Sequence, residues 1–316
     1  MIRKLTTYTT KNLLPYRNQA VEEYLTFHTE PEECILYLWQ NRKTVVIGKN
    51  QNCWKECRVQ RLEEDGGYLA RRLSGGGAVF HDLGNLNFTF CVRKENYDVG
   101  KQLEVILQAV RDMGLPARKS GRNDLIIEGQ KFSGNAFYRS GDFCFHHGTL
   151  LVDTDKKQME AYLSVSDEKL KSNGVQSVRA RTVNLKTLNE KITIPALKEA
   201  LVSACEEVYG CGSRTLGKSR LDWGEVGRLE KKFSSEDWKY GQKISFQHEW
   251  EHRFPWGNAQ LQLQVSGGMI QELRIYTDAL DGTLSEQFQV RWRGRRYDPA
   301  RLVEDLEKWK PEAMNM

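Results

Sequence analysis

The chain has 316 residues, of which 39% are hydrophobic, so it can bury a sizeable core and form one large domain with a smaller one beside it. Its net charge of +5 comes from 47 basic and 42 acidic residues spread along the chain, which argues against the basic stripe of a nucleic-acid-binding protein. The first 18 residues lack the apolar core of a signal peptide and we find no membrane-spanning apolar stretch, so we expect a cytoplasmic protein that uses neither membrane nor nucleic acid.

Strand patterns dominate the first part of the chain. The β-rich segments 35–39 and 44–48 flank turn-forming residues at 40–43 and predict a hairpin. Residues 86–92 alternate between apolar and polar side chains with a period of two. They predict a strand that leaves a glycine-rich turn.

A second group of strands follows in the middle of the chain. Residues 124–127 and 131–138 flank a turn at 128–130 and predict another hairpin. Residues 143–152 continue the same sheet.

Three helices are predicted from apolar residues at helical spacing. The first has apolar residues at i, i+3, i+4 and i+7 from Leu103 and ends at Gly114. The second spans 195–209, with proline in its first turn and glycine beyond its end. The third starts at Asp298.

The last third of the chain changes in composition. Residues 213–242 are rich in charge, glycine and serine, which fits a connecting segment or an exposed helix. Three further strands are predicted at 244–250, 259–265 and 269–276. With the last helix they predict a separate small domain, so we divide the chain into 1–243 and 244–316. The interleaved hairpins and helices predict an α+β fold.

A glycine-rich motif is the first chemical signal. Residues 71–82 read Arg-Arg-Leu-Ser-Gly-Gly-Gly-Ala-Val-Phe-His-Asp. Consecutive glycines allow backbone N–H groups to turn toward an anion, and the arginines add positive charge. A tight hairpin turn is the alternative. A P-loop and a dinucleotide fingerprint are disfavoured, because no Gly-Lys-Ser/Thr follows and a strand comes next.

Lys131 is the second chemical signal. A lysine is a movable point charge that can follow negative charge from a carboxylate onto a phosphate during a reaction. Alone, Lys131 would be interpreted as a solvated hairpin residue. Together with Arg72 and the glycines it indicates a site for an anionic substrate.

The histidines and cysteines leave several possibilities. His81 and Asp82 could form a general base with its orienting carboxylate, or only a local hydrogen bond. His146 and His147 are adjacent in a strand, so they should point to opposite faces and not share a metal. The seven cysteines form no CxxC pair and are expected to be reduced and mostly buried. Cys53 and Cys57 have no second ligand pair for zinc, and Cys144 is a weak candidate nucleophile.

Four ordered motifs resemble those of lipoate-protein ligases. They are the glycine motif at 71–82, Gly-Arg-Asn-Asp-Leu at 121–125, Lys-x-x-Gly-x-Ala at 131–136, and His-His-Gly-Thr-Leu-Leu at 146–151. The segments 254–257 and 276–278 resemble the small C-terminal domain of that family. The resemblance implies a large α+β catalytic domain, with mixed and antiparallel sheets flanked by helices, that is shared with biotin ligases, plus a small α+β domain.

The resemblance also implies site residues. Those that would hold ATP or AMP are Arg72, Gly77, Ala78, Val79, Phe80, Lys131 and Ala136. Those that would line the lipoate pocket are Ser74, Gly75, His81, Lys131, Gly134 and His147. Lys131 would be the catalytic residue, and Asp124 would orient Mg²⁺ or the incoming amine. Arg139 is the candidate for the arginine that follows the lysine motif in the family, one residue further along here.

The implied reaction has two steps. Lipoate, or octanoate, and ATP with Mg²⁺ give an acyl-AMP, and the acyl group then passes to a lysine of an apo lipoyl domain in a 2-oxoacid dehydrogenase E2 subunit or the glycine cleavage H protein. The alternatives are an octanoyl- or lipoyltransferase that uses a preactivated donor, a biotin ligase, and a non-catalytic binding protein on the same scaffold.

Overall fold

The structure of the chain is a computed structural model that describes residues 1–121, 123–164, 182–241 and 246–309. Arg122 of the second motif and the start of the strand predicted at 244–250 lie outside the described residues. The predicted boundary at 243 does so too, and the division of the chain there stays a prediction.

Fourteen strands form within the described residues. They are β1 (Lys4–Thr9), β2 (Glu33–Trp39), β3 (Thr44–Ile47), β4 (Tyr68–Arg71), β5 (Val79–His81), β6 (Asn85–Arg93), β7 (Arg118–Ser120), β8 (Asp124–Ile127), β9 (Gln130–Ser140), β10 (Phe143–Leu151), β11 (Ser213–Thr215), β12 (His248–Phe254), β13 (Gly257–Ser266) and β14 (Met269–Thr277).

Eleven α-helices lie between them in the same part of the chain. They are α1 (Pro15–Phe27), α2 (Cys53–Glu56), α3 (Val59–Glu64), α4 (Val99–Asp112), α5 (Lys156–Tyr162), α6 (Leu185–Leu188), α7 (Ile194–Tyr209), α8 (Trp223–Ser234), α9 (Glu236–Tyr240), α10 (Leu284–Trp292) and α11 (Pro299–Glu307). None of these described helices is long and apolar enough to cross a membrane.

An eight-stranded mixed sheet is the centre of the fold. Its strand order is β11-β1-β2-β6-β10-β9-β8-β7, with β1 parallel to β2 and β11 and the other pairs antiparallel. Helices α4 and α7 pack on one face and α1 and α8 on the other. Strands β2 and β6 are therefore buried on both faces. The sequence of β2 is accordingly almost continuously apolar, whereas β6 keeps its alternating pattern with Asn85, Asn87 and Thr89 as buried polar residues.

The hairpin predicted next to the second motif and the three predicted helices are confirmed. Strands β8 and β9 form a hairpin whose two turn residues, Glu128 and Gly129, have φ values of 49° and 82°. Positive φ at both positions matches the right-handed twist of the flanking strands. The three predicted helices are α4, α7 and α11, and each is capped by a side chain at its N-terminus.

The hairpin predicted from 35–39 and 44–48 is wrong. Strand β2 belongs to the large sheet, whereas β3 lies in a small sheet of order β4-β3-β5. The intervening residues cross between sheets because they have partners elsewhere. The Arg42 N–H donates to the Leu13 carbonyl, and the buried Asn41 side chain contacts Asn18 and His81.

Residues 213–242 form more than a connecting segment or an exposed helix. Strand β11 closes one edge of the large sheet. Helix α8 packs on α1 through the buried side chains of Val226 and Phe233. Its Glu230 and Lys232 side chains form ion pairs with Arg17 and Glu23 of α1, so part of the polar composition belongs to this packing. Gln242 lies outside the described residues.

A small α+β unit ends the described chain. Strands β12, β13 and β14 form an antiparallel sheet, and α10 and α11 cover it over a core of its own that includes Phe254, Trp256 and Phe288. The strands predicted at 259–265 and 269–276 are confirmed, while β12 starts later than predicted and α10 was not predicted. The expected α+β fold with a small C-terminal unit is confirmed.

A buried carboxylate at the start of the interior strand β2 predicts acid sensitivity. Glu33 of β2 has no exposed side-chain surface and accepts hydrogen bonds from Thr6 and Arg220. Burial acts to raise the pKa of Glu33, but these hydrogen bonds outweigh it and lower the pKa to about 2. A depressed folded-state pKa stabilises the protein above the ordinary value of 4.5, and that stabilisation is lost as the pH falls from 4.5 toward 2.

We therefore expect the free energy of unfolding to decrease by roughly 2 to 3 kcal/mol over that range from this group. Urea unfolding of the wild type and Glu33→Gln at a series of pH values checks the prediction. The variant should be less stable at pH 7 and lose less stability on acidification. Parallel pH profiles for the two proteins would contradict it.

Candidate active site

A cavity of about 130 Å³ lies on the α1 face of the large sheet. Its floor is a row of four residues that are direct neighbours across four strands, in the order Gly134, Thr149, Asn87 and Trp39. Residues of α1 cover it, and the glycine loop, residues 74–78, borders it through Gly76, Gly77 and Ala78. The first and third motifs, with 48 residues between them in sequence, thus face one space.

Arg72 shapes the glycine loop. Its guanidinium donates to the Ser74 hydroxyl at 3.0 Å and to the carbonyls of Gly75 and Gly77 at 2.7 and 2.8 Å. A further hydrogen bond reaches the Val46 carbonyl at 3.2 Å. Burial lowers the pKa of Arg72 to about 10, so it stays charged at pH 7. Arg72 borders the cavity, as expected, but it also holds the loop in shape.

The glycine loop presents one edge to the cavity and the other to the C-terminal unit. Gly77, Ala78 and Val79 line the cavity, and no atom lies within 4 Å of where a Cβ on Gly77 would be. On the other edge, the Gly76 N–H donates to the Ala279 carbonyl at 2.8 Å. The segment after β14 therefore contacts the loop directly.

Three residues expected in the site lie behind its wall. A Cβ on Gly75 would be 2.4 Å from the Ala279 carbonyl oxygen, so that position faces the C-terminal unit. Ser74 is fully buried, and its hydroxyl contacts His147 Nε2 at 2.8 Å. Phe80 packs its ring against Tyr162. Ser74, Gly75 and Phe80 are not among the described residues that line the cavity, and their assignment to the ligand sites, which for Phe80 concerns the backbone, stays a prediction.

Lys131 lies at the opposite side of the cavity. Its Nζ is 2.7 Å from Asp124 Oδ1, and both side chains are about one-third exposed. A Cβ on Gly134 would be 2.8 Å from that Nζ, so the glycine leaves room for the lysine to lie over the strand. Ala136 continues the wall on the same strand. The hairpin thus presents a partly solvated ammonium group toward the glycine loop.

His147 belongs to a buried hydrogen-bonded chain. Its Nδ1 is 2.8 Å from Glu22 Oε1, and the same oxygen accepts from the Thr89 hydroxyl at 2.6 Å. Through its Nε2, His147 reaches Ser74 behind the glycine loop. This series of hydrogen bonds connects α1 to the glycine loop. It fixes the His147 imidazole where the ring borders the cavity.

His146 lies on the other face of the sheet, as predicted. It contacts Gln102 and Asn135 and packs among phenylalanines of the core under α4. Burial, and to a smaller extent His147, lowers the pKa of His146 to about 3, so the ring stays neutral at pH 7. It is a structural residue.

His81 and Asp82 do not act as a pair. His81 Nδ1 contacts the Asn41 amide at 3.1 Å, and burial together with Arg72 and His147 lowers the pKa of His81 to about 3. Asp82 instead accepts hydrogen bonds from the backbone N–H groups of Gly84 and Asp155. The possibility of a base with its orienting carboxylate is therefore wrong, although His81 does line the cavity.

Arg139 and Cys144 lie on the opposite face of the sheet from the cavity, the face on which α4 packs. Arg139 is eight residues beyond Lys131 on the same strand, which places it about 26 Å away. Its guanidinium packs over the Tyr97 ring at 5.2 Å. In the pairing of β9 with β10, Arg139 lies opposite Cys144. Burial raises the pKa of the fully buried Cys144 thiol, so it is not an activated nucleophile. The weak candidacy of Cys144 as a nucleophile is not supported, and the assignment of Arg139 stays a prediction.

The cysteines behave as expected. All seven are free, and six are buried. Cys53 and Cys57 pack in one apolar cluster, where burial raises the pKa of Cys57 to about 12. No group of three or more potential metal ligands occurs among the described residues.

Several cavity residues were not predicted. They are polar or aromatic and come from α1 and the sheet floor: Gln19, Glu22, Trp39, Asn87 and Thr149. Helix α1 was overlooked because its buried side includes polar residues and gives no apolar stripe. A usable signal was present, since Asn18, Glu22 and Thr26 recur every four residues and are all buried.

Comparisons with known proteins decide the family. Residues 14–206 match the model of the lipoyl protein ligase A/B catalytic domain, and residues 243–315 match that of the bacterial lipoate protein ligase C-terminus. The chain belongs to the lipoate-protein ligase family. It is therefore a ligase, as the sequence motifs indicated.

Two curated relatives extend over nearly the whole ligase. Lipoate-protein ligase A of Psychrobacter cryohalolentis is 39% identical over 309 residues, covering 94% of this chain and 91% of the relative. Lipoate-protein ligase A of Blochmanniella floridana is 37% identical over 302 residues, covering 93% and 90%.

Solved structures of lipoate-protein ligases are similar to this ligase in fold. P. falciparum LipL1 in complex with lipoate has a TM-score of 0.84 at 29% identity, covering 98% of this ligase and 96% of that chain. A bipartite ligase from Thermoplasma acidophilum, studied with its E2 lipoyl domain, has a TM-score of 0.67 at 27% identity and covers 78% and 98%. Lipoate-protein ligase A bound with ATP has a TM-score of 0.65 at 26% identity and covers 76% and 99%.

Proposed function

We propose that this ligase activates lipoate with ATP to form lipoyl-AMP and pyrophosphate, and then passes the lipoyl group to a lysine of an apo lipoyl domain. The observation that carries the proposal is the position of Lys131, whose ammonium lies at the cavity between the glycine loop and the row of Gly134, Thr149, Asn87 and Trp39. Relatives bound to lipoate and to ATP support the choice of substrates.

The cavity floor suits an eight-carbon acyl chain. From Gly134 to Trp39 the row crosses three strand spacings, which is about 14 Å. A carboxylate near Lys131 would therefore place the distal end of the chain against Trp39. Val46 and Trp39 supply apolar surface along the way, and the buried His147 fixes one wall.

The glycine loop suits the nucleotide. Backbone N–H groups in a glycine turn make a concave anion site, and the Arg72 charge directly behind the loop adds to the local positive potential. Gly77, Ala78 and Val79 would bring that site against the α-phosphate, within reach of Lys131. Ala136 would complete the wall on the nucleotide side.

In the first step a carboxylate oxygen of lipoate attacks the α-phosphorus of ATP. The bond from that phosphorus to the oxygen bridging the β-phosphate breaks, and pyrophosphate leaves with the electron pair. The carboxylate and the triphosphate repel each other, so a positive charge between them lowers the barrier. Lys131 can supply it by leaving Asp124, because both side chains are partly exposed and their ion pair is weak.

In the second step the neutral amine of the acceptor lysine attacks the acyl carbon. The carbon–oxygen bond to AMP breaks, AMP leaves as an anion, and the amine loses its proton to solvent. Lys131 stabilises the oxyanion that forms between these events. Asp124 would accept a hydrogen bond from the incoming amine once Lys131 has moved, since the two side chains are ion-paired in the structure.

Magnesium fits the site only as a partner of the phosphates. Mg²⁺ in such sites is held by one or two carboxylates together with substrate phosphates, and Asp124 would supply one of them here. When bound, the ion would neutralise the phosphate charge.

The acceptor and location complete the proposal. Lipoyl domains of E2 subunits and the glycine cleavage H protein are the proposed acceptors, and octanoate is the proposed alternative acyl substrate. Consumption of ATP and seven free thiols favour the cytoplasm. We further propose 1–243 as the catalytic part and 244–316 as the accessory part.

Mass spectrometry of an apo lipoyl domain tests the proposal. The domain is incubated with the ligase, Mg-ATP, and lipoate, octanoate or biotin in competition. We expect it to gain a lipoyl group only when ATP is present, and no biotin. Acylation from an octanoyl acyl-carrier thioester, with none from lipoate and ATP, would instead identify a transferase that needs a preactivated donor.

A further inference from the structure

A second cavity, of about 570 Å³, lies between helices α8 and α9 and the C-terminal unit. Residues of α8 and α9 line one side of it, and residues of β14 and α10 line the other. Lys49 and Arg71 complete the lining, and none of the described lining residues belongs to the cavity at Lys131. The volume lies within the range of roughly 300–1,000 Å³ that is typical of small-molecule sites.

Arg71 brings a buried positive charge to the second cavity. The residue is 6% exposed, and its guanidinium donates to backbone carbonyls that include those of Gln51 and Lys239. Carbonyls satisfy its N–H groups but do not cancel its charge. Burial lowers the pKa of Arg71 to about 10, and the nearby charge of Arg274 lowers it further, so Arg71 stays charged at pH 7. A buried charge without a counterion is costly.

Arg274 brings a second positive charge and a free donor. Its Nη1 is buried and has no hydrogen-bond partner within the described protein. The guanidinium packs over the Tyr276 ring at 5.7 Å, and Nη1 lies 3.6 Å from where a Cβ on Gly241 would be. The group therefore reaches from β14 to the end of α9. Buried donors without partners are uncommon in folded proteins and call for an explanation such as a bound ligand.

The other charges around the second cavity largely cancel. Lys49 pairs with Glu286 at 2.8 Å, and Lys232 pairs with Glu23. Asp237 is the other carboxylate in the lining. Neither Arg71 nor Arg274 forms an ion pair with a carboxylate in the part of the chain that the structure describes. The cavity thus keeps a net positive charge from two guanidinium groups.

We propose that the second cavity binds a small phosphate-bearing molecule, which the Arg274 guanidinium holds and whose negative charge the buried Arg71 balances. A guanidinium is a planar fork of donors that matches the geometry of a phosphate group. The volume exceeds that of a single phosphate, so the ligand carries a further group.

The bound ligand would connect the C-terminal unit to the segment that supports the glycine loop. Arg274 belongs to β14, whereas Arg71 holds the carbonyls of Gly48 and Lys49. The Lys49 N–H in turn donates to the Ser74 carbonyl of the loop at 2.9 Å. The second cavity is separate from the proposed acyl and nucleotide sites, and the proposal does not depend on the proposed function.

Titration calorimetry with pyrophosphate as the probe tests the proposal on the full chain without ATP, lipoate or Mg²⁺. The wild type is compared with Lys131→Ala, which weakens binding at the other cavity. Arg274→Gln is then added to Lys131→Ala. The matched control adds Arg214→Gln instead, which removes an exposed arginine of β11 at the far edge of the large sheet.

We expect Lys131→Ala to bind pyrophosphate and to melt a few degrees higher in its presence. Adding Arg274→Gln should raise Kd by about 10-fold or more and abolish the rise in Tm, while adding Arg214→Gln changes neither. Without pyrophosphate, the Arg274→Gln protein should be no less stable than its parent, because an uncompensated charge has been removed. This result separates loss of a ligand contact from loss of the fold.

Two results would overturn the proposal. One is the absence of pyrophosphate binding to Lys131→Ala at millimolar concentration, with binding by the wild type confined to the cavity at Lys131. The other is an unchanged Kd after the addition of Arg274→Gln. Neither result bears on lipoyl-AMP formation, which is measured separately.

Discussion

Lys131→Ala is expected to lower the rate of lipoyl-AMP formation by at least 100-fold while the protein stays folded. The loss is large because no other lysine lines the cavity among the described residues, and the carboxylate and the α-phosphate would face each other without a mobile cation. The stability should hardly change, because Lys131 is partly exposed and its ion pair with Asp124 contributes at most about 1 kcal/mol. Pyrophosphate release and thermal unfolding measure the two effects.

Lys186 is a matched control that separates the catalytic role of Lys131 from the general effect of removing one positive charge. Lys186 also pairs with an aspartate, Asp153, at 2.6 Å, but it lies on the surface away from the cavity. Lys186→Ala removes the same charge and should keep the wild-type rate. Full adenylation by Lys131→Ala, with Lys186→Ala equally active, would exclude the assigned role of Lys131.

Arg72→Lys is expected to reduce adenylation by a factor on the order of 100 and to destabilise the protein by about 3 kcal/mol. The replacement keeps a positive charge, but an ammonium cannot donate at once to the acceptors on Ser74, Gly75, Gly77 and Val46. The glycine loop would lose its shape, and its N–H groups would no longer converge on the nucleotide.

Arg71, the neighbouring residue, is the control that shows how much of the lost rate comes from lower stability alone. Arg71 is also buried, and its guanidinium holds carbonyls of Gln51, Trp238 and Lys239 on the other side of the loop. Arg71→Lys should be destabilised to a similar extent and yet keep much of its adenylation rate when assayed well below its melting temperature. A similar loss of rate in both variants would show that Arg72 acts only through stability.

Sequence patterns predicted which residues face the cavity better than they predicted how the strands are arranged. The glycine motif and Lys131 are far apart in the chain, yet both face one cavity, because β5 and β9 lie on two sides of it. The hairpin at Glu128 and Gly129 was also predictable, since its turn needs positive φ at both residues. Local turn chemistry was sufficient there.

Other features depend on long-range contacts that a local pattern does not encode. Turn formers at 40–43 suggested a hairpin, but Asn41 is bound by residues distant in sequence and the chain changes sheets. The contact of Gly75 with the C-terminal unit was also not predictable, because its missing side chain makes room for Ala279, which is distant in sequence. Gln19 was not predicted, because the buried side of helix α1 includes polar residues and therefore shows no apolar periodicity.

Isolation of the acyl-adenylate tests the central claim most directly. The wild-type ligase is incubated with lipoate, ATP and Mg²⁺ without any acceptor protein, and its bound small molecules are identified by mass spectrometry. The geometry of Lys131, Arg72 and the glycine loop predicts lipoyl-AMP together with an equal amount of pyrophosphate. Absence of lipoyl-AMP, from a protein that still acylates a lipoyl domain when given a preactivated acyl donor, would contradict it.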